Sequence, residues 1–330
     1  MPAPLFISEA DCRRVLGPAD VIGAIGDTFL ADAEGGVRWS EPRNMRMSDR
    51  LSNHYHLKAC VLEVASETGR SAPVAGVRLV AHQADEANGT STRWIVLVDS
   101  ATALPLAIVD ETWNYAQRAV AVMAVASRHL AAEPARSGSS VLAVVGAGRL
   151  AAAALTYYAH LFALSDVRIA SRRPETRAAL ARQAVTVMGL RASAAPSIEE
   201  AVRGADLVLT CTSSGSELLR DEWIAPGAVV ASLETAEPGA DLVRRADLLI
   251  VDSREQLQGE LVDCFGPEAP AWVDATIGEV ISGRHPGRAR PEHRVVVIAQ
   301  GLVSLDVALA YRAYRSAMAA GLGSPLPFQD

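Results

Sequence analysis

Lysine is almost missing from this chain: among 330 residues with 31 lysines and arginines, Lys58 is the single lysine. An arginine-favouring codon composition explains the arginines and leaves Lys58 to chance. The alternative is that a compact ammonium on a flexible stem acts there as a planar guanidinium cannot, approaching a reacting carbon or exchanging a proton. Cysteine is scarce too. Cys12, Cys60, Cys211 and Cys264 lack metal-ligand or redox spacing, which excludes a disulfide scaffold or zinc module and predicts buried thiols in a reducing compartment. Aromatic residues make up only 5%, no basic stripe interleaves with them, and the formal charge is −7, all against a general nucleic-acid binder. No apolar run approaches a membrane span, and no basic, then apolar, then small-residue signal opens the chain, so no membrane partner and a cytoplasmic location are expected. Neither a Gly-x-Ser-x-Gly elbow nor a Walker sequence occurs, which removes support for hydrolase and phosphotransferase chemistry.

What is present is apolar residue, 50% of the chain, enough for a large core and for two domains. A helical signal opens at Ser8-Glu-Ala-Asp within residues 1 to about 35. Four β-favouring runs follow, His54 to Val64, Val74 to His82, Arg93 to Asp99 and Leu104 to Val109, and predict a largely antiparallel sheet. A helix from about Trp113 to Leu130 leads to a region where strands and helices alternate, as in a parallel sheet covered on both faces. Its strands are expected at Val141–Val145, Val167–Ala170, Ala192–Ala194, Leu207–Cys211, Val229–Leu233, Leu248–Val251 and Val295–Ala299, before a last helix from Leu302 to Ala320. The expected fold class is therefore α/β. A Rossmann dinucleotide-binding domain over 131–301 accompanies an α+β substrate domain built from 1–130 and 302–330.

The segment Val145-Gly146-Ala147-Gly148-Arg149-Leu150-Ala151 joins a buried strand to a helix without a break. Gly146 suits the tight turn, Gly148 lets the main chain approach a pyrophosphate, and Ala151 keeps the helix close to the sheet. The helix start then offers unpaired N–H groups and partial positive charge to phosphates, so Gly146, Ala147, Gly148, Arg149 and Leu150 are candidate cofactor contacts. The second strand ends at Ser171-Arg172-Arg173, where such folds face the adenosine ribose. A carboxylate there selects a free 2′-hydroxyl, whereas a serine and two arginines offer donors and positive charge. NADP(H) is expected over NAD(H), which remains possible; the bland alternatives are a plain strand–helix turn and a solvated helix start. Cys211, Thr212 and Ser213 end another strand at the ligand edge and are candidate contacts on the nicotinamide side, with a plain strand end as the alternative.

With this layout the chain resembles the ornithine cyclodeaminase/μ-crystallin family, nearest to the amino acid dehydrogenases of diaminopropionate biosynthesis. The likeness rests on Gly76-Val77-Arg78-Leu79-Val80, Val96-Leu97-Val98-Asp99 with Leu104-Pro105-Leu106-Ala107, Arg118-Ala119-Val120-Ala121 with His129-Leu130-Ala131, the glycine turn, Ala205 to Thr212, and Gly301-Leu302 with Asp306. It implies a homodimer paired through an open-barrel domain, a Rossmann domain for NAD(H) or NADP(H), and a small amino-acid-derived substrate lying between the two. It also implies basic barrel residues that hold the substrate α-carboxylate, and a guanidinium pairs both oxygens of a carboxylate at once. Arg118 matches the family's arginine most cleanly and Arg43 more loosely. Arg78 stands where the family usually has lysine, so Arg78 could clamp the carboxylate while Lys58, on a neighbouring strand, acts nearer the reacting carbon. For each arginine the alternative is an ordinary ion pair.

The family's cyclodeaminases carry an aspartate in an Asp-x-Pro-Gly loop after the fifth Rossmann strand. Here that loop reads Glu234-Thr235-Ala236-Glu237-Pro238-Gly239, with Ala236 at the aspartate's place and Glu237 one residue along. A shifted carboxylate seldom reaches the same proton, which argues against cyclodeamination. His54 and His56 share a strand face without a suitably spaced third ligand, so no metal is expected, though His56 could donate a proton. Asp306, in the last helix after Gly301, could face the cleft or cap that helix, and the cap is favoured. The expected activity is an NAD(P)(H)-dependent oxidoreductase acting on the C–N bond of an imine or secondary amine, an imino acid or N-(carboxyalkyl) amino acid, with Lys58 or His56 as proton donor. The alternatives are a redox-neutral ornithine or lysine cyclodeaminase and a non-catalytic NADPH-binding protein.

Overall fold

The structure is a computed structural model that describes residues 3–50, 52–64, 72–83 and 90–327. In chain order its elements begin with β1 (Leu5–Ile7), α1 (Glu9–Val15), α2 (Pro18–Ala33), β2 (Val37–Trp39), β3 (Met45–Ser48), β4 (His54–Val64), β5 (Ala72–His82), β6 (Ser91–Asp99), β7 (Pro105–Asp110) and α3 (Thr112–Leu130). Then come β8 (Ser139–Val145), α4 (Arg149–Leu161), β9 (Ala163–Ala170), α5 (Pro174–Met188), β10 (Ala192–Ala194), α6 (Ile198–Val202), β11 (Leu207–Thr210) and β12 (Val229–Ser232). The remainder is α7 (Ala240–Arg245), β13 (Leu248–Val251), α8 (Arg254–Phe265), β14 (Val273–Thr276), α9 (Ile277–Ile281), β15 (Val295–Ile298), α10 (Val303–Ala319) and β16 (Ser324–Pro325). The chain divides into two compact units, Met1–Arg118 with Leu302–Asp330, and Ala119–Gly301, so the first break falls inside α3.

The first unit holds a sheet ordered β16-β1-β7-β6-β5-β4-β2, with β3 also pairing to β4. Apart from the parallel β1–β7 pair, neighbouring strands run antiparallel. Alternation sorts its side chains. Cys60, Leu62, Val74, Val80, Ile95 and Leu97 point to one face and are buried. α10 lies on that face, and the approach is close: a Cβ at Gly76 would sit 2.3 Å from Val307 Cγ2. The expected N-terminal helix is two helices, because Pro18 cannot sit in a helix interior and holds Gly17 extended at φ −93°, ψ 173°. Ser8 closes a capping box at the start of α1, and Asp20 accepts from the Gly17 N–H at the start of α2.

The second unit is a parallel sheet ordered β10-β9-β8-β11-β12-β15-β13-β14. β11, β12, β13 and β15 are buried at every position, as strands covered on both faces must be. Chain order reverses direction at β8, whose neighbours are β9 and β11, which is where a doubly wound sheet opens to a ligand. Three cysteines are buried as expected, but Cys264 is exposed. The inward stripe of α8 runs through Leu257, Leu261 and Phe265 and leaves Cys264 on the open side. Among the described residues no helix is long and apolar enough to cross a membrane.

Candidate active site

The turn after β8 meets two backbone demands that only glycine satisfies. Gly146 has φ +129°, and a Cβ there would lie 2.8 Å from the Cys211 carbonyl oxygen on the neighbouring β11 loop. Gly148, the N-cap of α4, is exposed; a Cβ would meet nothing within 4 Å, and no side chain caps the helix. The first amides of this 13-residue helix are therefore open to solvent-side ligands, while Ala151, 0% exposed, lets the helix pack flat. Ala147 and Leu150 are half-buried and Arg149 is exposed. This turn fits a dinucleotide pyrophosphate.

At the end of β9, Ser171 shapes the loop rather than reaching outward. Its hydroxyl donates to the Arg173 carbonyl at 2.9 Å and lies 3.0 Å from the Thr176 hydroxyl, and Arg177 donates to the Ser171 carbonyl at 2.8 Å. Arg172 and Arg173 are exposed, and among the described residues neither guanidinium has an ion-pair partner. At the end of β11, Cys211 turns back so that its thiol donates to the Val145 carbonyl at 3.6 Å, and burial pushes that thiol up to about 12. The Thr212 hydroxyl donates to Glu237, and Ser213 is exposed. Cys211 and Thr212 can therefore meet a ligand only through their backbone.

The first unit gathers the expected basic residues on one sheet face. Lys58 and Arg78 are direct cross-strand partners on β4 and β5. Arg118, one and a half turns into α3, joins them through Asp306. Asp306 is not a helix cap: lying a turn inside α10, it accepts from Arg118 Nε at 2.5 Å and sits 3.4 Å from Arg78 Nε. Arg78 Nε also donates to both oxygens of Glu111, at 2.7 and 2.9 Å. Arg78, Glu111, Arg118 and Asp306 are 7%, 1%, 4% and 4% exposed, so Asp306 forms a buried ion pair with the two guanidiniums while Glu111 holds Arg78 by buried hydrogen bonds. Both arginines are thus held by their Nε edges. Arg78 Nη2 is buried without a partner among the described residues, a vacancy suited to an oxygen ligand. The guanidiniums of Arg78, Arg93 and Arg118 lie 5.6, 4.7 and 5.3 Å from the Tyr115 ring centre.

Electrostatics follow from this crowding. Burial lowers the Lys58 ammonium; Asp306 opposes that, while Arg78, Arg118 and Arg46 add to it. Burial also lowers His56, helped by Arg46, His82, Lys58 and Arg78, so near neutrality this imidazole is uncharged. Burial and then the Asp306 charge lift Glu111 to about 8. For Asp306 burial acts upward, but Arg118 and Arg78 outweigh it and hold this carboxyl below its ordinary value. Arg43 stands apart: its described contacts are the Trp39 ring at 4.8 Å and the charge of Asp32.

Glu111, Tyr115, His82 and Arg93 were not singled out from sequence. The first two precede Arg118 by seven and three residues, on its side of the chain, and His82 and Arg93 alternate with apolar residues on strands already recognised, so the signal was there only once register was known. Glu237 is wholly buried. One carboxyl oxygen accepts from Thr212 and the other has no partner among the described residues, while its carbonyl accepts from the Leu218 and Leu219 amides.

The model of the ornithine cyclodeaminase/mu-crystallin family matches residues 15–321. The ketimine reductase mu-crystallin of Mus musculus is 33% identical over 226 residues, 67% of this chain and 68% of that protein. The NAD(P)H-dependent anabolic L-arginine dehydrogenase of Pseudomonas aeruginosa is 28% identical across 94% of this chain and 97% of its own. An archaeal alanine dehydrogenase, solved as a dimer with bound NAD, superposes with a TM-score of 0.86 at 23% identity, covering 99% of both chains. The chain belongs to the ornithine cyclodeaminase/mu-crystallin family.

Proposed function

We propose that this protein is an NADP(H)-preferring oxidoreductase acting on the C–N bond of an imine or secondary amine derived from an amino acid. The observation that carries the reading is the Lys58–Arg78 register pair, completed by Arg118, with both arginines tethered through Nε by the buried carboxyl groups of Glu111 and Asp306. Guanidiniums fixed along one edge are pre-organised along the other, which is what a substrate carboxylate requires. Relatives named as a ketimine reductase and an L-arginine dehydrogenase support C–N chemistry.

In the reductive direction the C=N carbon gains a hydride and the nitrogen a proton, giving CH–NH; oxidation is the reverse. The nicotinamide, when bound, supplies or takes up the hydride. Arg78 and Arg118 hold the carboxylate, and Lys58 delivers the proton to nitrogen: its lowered affinity brings an ammonium towards the pH at which it can give a proton away. His56, uncharged near neutrality, lies on the same strand face two residues away and serves better as an acceptor in the oxidative direction. The open amides of Gly146 to Leu150 hold the pyrophosphate. The unpaired Arg172 and Arg173 take the 2′-phosphate of NADP(H), while NAD(H) remains usable without it.

The cyclodeaminase reading finds less support, because Glu237, the carboxylate nearest the missing aspartate, is turned inward to Thr212 and has no exposed surface. The assembly we propose is a homodimer. The sheet face opposite α10 carries the cross-strand row Met45-Leu57-Leu79-Trp94, and Met45, Met47, Val77 and Trp94 are all exposed there, an apolar area that a second copy would cover. The four free cysteines and the pyridine-nucleotide chemistry fit the cytoplasm. The test is NADPH oxidation with paired keto acids and amines, followed by mass identification of the C–N product. Turnover with such a pair is expected. NADPH binding without turnover across the panel would support the non-catalytic alternative, and ammonia release from ornithine or lysine without net cofactor change would support the cyclodeaminase.

A further inference from the structure

Resting on that reading, we infer that Glu237 is a positioning residue, which fixes the Thr212–Leu219 loop as a preformed wall for the nicotinamide half of the dinucleotide. The loops concerned leave one edge of the parallel sheet. β8, β11 and β12 are neighbours in that order, and their carboxyl ends carry the glycine turn, the segment from Cys211 to Leu219, and the segment from Leu233 to Gly239. The adenosine side lies at the end of β9, on the other side of β8, so the second half of a dinucleotide falls towards β11. The loop starts against the turn itself, where the Cys211 carbonyl oxygen would lie 2.8 Å from a Cβ at Gly146.

Ser213 to Glu217 are exposed and belong to no helix or strand, yet both ends of the loop are tied to one residue. At its start the Thr212 hydroxyl donates to Glu237 Oε1 and accepts from the Ser214 N–H at 3.0 Å. At its end the Leu218 and Leu219 amides donate to the Glu237 carbonyl at 2.9 and 3.3 Å. Gly239, at φ +82°, leaves room for the Glu217 side chain, whose Cδ would lie 2.6 Å from a Cβ there. Energetics point the same way. Glu237 is 0% exposed, and its Oε2 has no partner among the described residues. A carboxyl so placed loses solvation that one hydroxyl does not restore, and an apolar side chain of its size would hold the fold as well or better. The compensation is order in the loop: a Ser- and Gly-rich segment fixed beforehand loses no further conformational entropy when a ligand meets it.

The experiment is calorimetric titration of the full-length parent, Glu237→Met, Glu237→Gln and Thr212→Val with NADPH and separately with adenosine 2′,5′-bisphosphate, which carries the adenosine half alone, alongside thermal unfolding of each. Glu237→Met keeps the backbone carbonyl and removes only the tie to Thr212. It is expected to bind NADPH about tenfold more weakly, with bisphosphate affinity within about twofold of the parent and no fall in the unfolding midpoint. Thr212→Val cuts the same tie from the loop's side and is expected to give the same split between the two ligands. Glu237→Gln keeps an acceptor for the hydroxyl and is expected to hold NADPH within about threefold of the parent. Equal weakening of both ligands, unchanged NADPH affinity in Glu237→Met and Thr212→Val, or a loss of stability with no split would each overturn the inference. The readout is binding, so its failure stands apart from that of the reductase reading: the split without turnover in the keto acid and amine panel keeps the positioning role and sinks the reaction, whereas a parent that binds neither ligand sinks both.

Discussion

Glu111 and Asp306 have almost no contact with water, and both face arginines that are equally buried. Neutralising one side of such a pair leaves the other charge stranded. Asp306→Asn is therefore expected to lower the unfolding free energy by about 3–5 kcal/mol, measured by urea titration. A loss below about 0.5 kcal/mol would show that Arg118 and Arg78 do not depend on it. Glu111 makes the pH dependence specific. Burial first, and the Asp306 charge second, lift it from an ordinary 4.5 to about 8. Between those values the folded chain keeps a proton that the unfolded chain has released, so Glu111's contribution to stability falls as pH rises from about 4.5 towards 8. Asp306 acts the other way: held below its ordinary value, it contributes stability above that value which is lost as pH falls through its folded one. Urea midpoints taken across pH 5 to 8 are expected to decline less steeply in Glu111→Gln than in the parent; identical slopes would remove Glu111 as the cause.

At the scale of elements, close approach decides what can change. Gly76 lets α10 lie against β5, and a Cβ there would fall 2.3 Å from Val307 Cγ2 and 2.7 Å from Cγ1. Gly76→Ala is expected to cost about 1–3 kcal/mol by thermal or urea unfolding, because a close-packed interior yields little. Stability equal to the parent would mean that α10 moves freely over the sheet. The elements themselves were largely legible. Strands β4, β10 and β13 have the residues that alternation and flanking breakers indicate, and the glycine turn announces β8 and α4. Short pieces escaped the sequence reading. β1, β2, β3 and β16 have two to four residues each, too few for a period to show, and only pairing with distant strands makes them strands. The site was legible by residue type but not by partner. Lys58, Arg78 and Arg118 were recognisable, whereas the 188-residue separation between Arg118 and Asp306 left no local signal, and a helix-start aspartate looks like a cap.

At the scale of the whole molecule, composition fixes what surrounds the chemistry. With β4, β5 and β6 covered on one face by α10, the other face leaves Trp94 and its neighbours exposed, the area that the proposed second copy would cover. If the proposed dimer forms through this face, the parent is expected to sediment as a dimer and Trp94→Glu as a monomer; an unchanged dimer would place the contact elsewhere. Everything proposed for the chemistry depends on a pyridine nucleotide, preferably phosphorylated, lying on the Gly146–Leu150 turn. Calorimetric titration of the parent and of Arg172→Ala/Arg173→Ala with NADPH and NADH measures this most directly. NADPH is expected to bind the parent at least about tenfold more tightly than NADH, with that difference lost in the double variant. Failure of both nucleotides to bind the parent would contradict it.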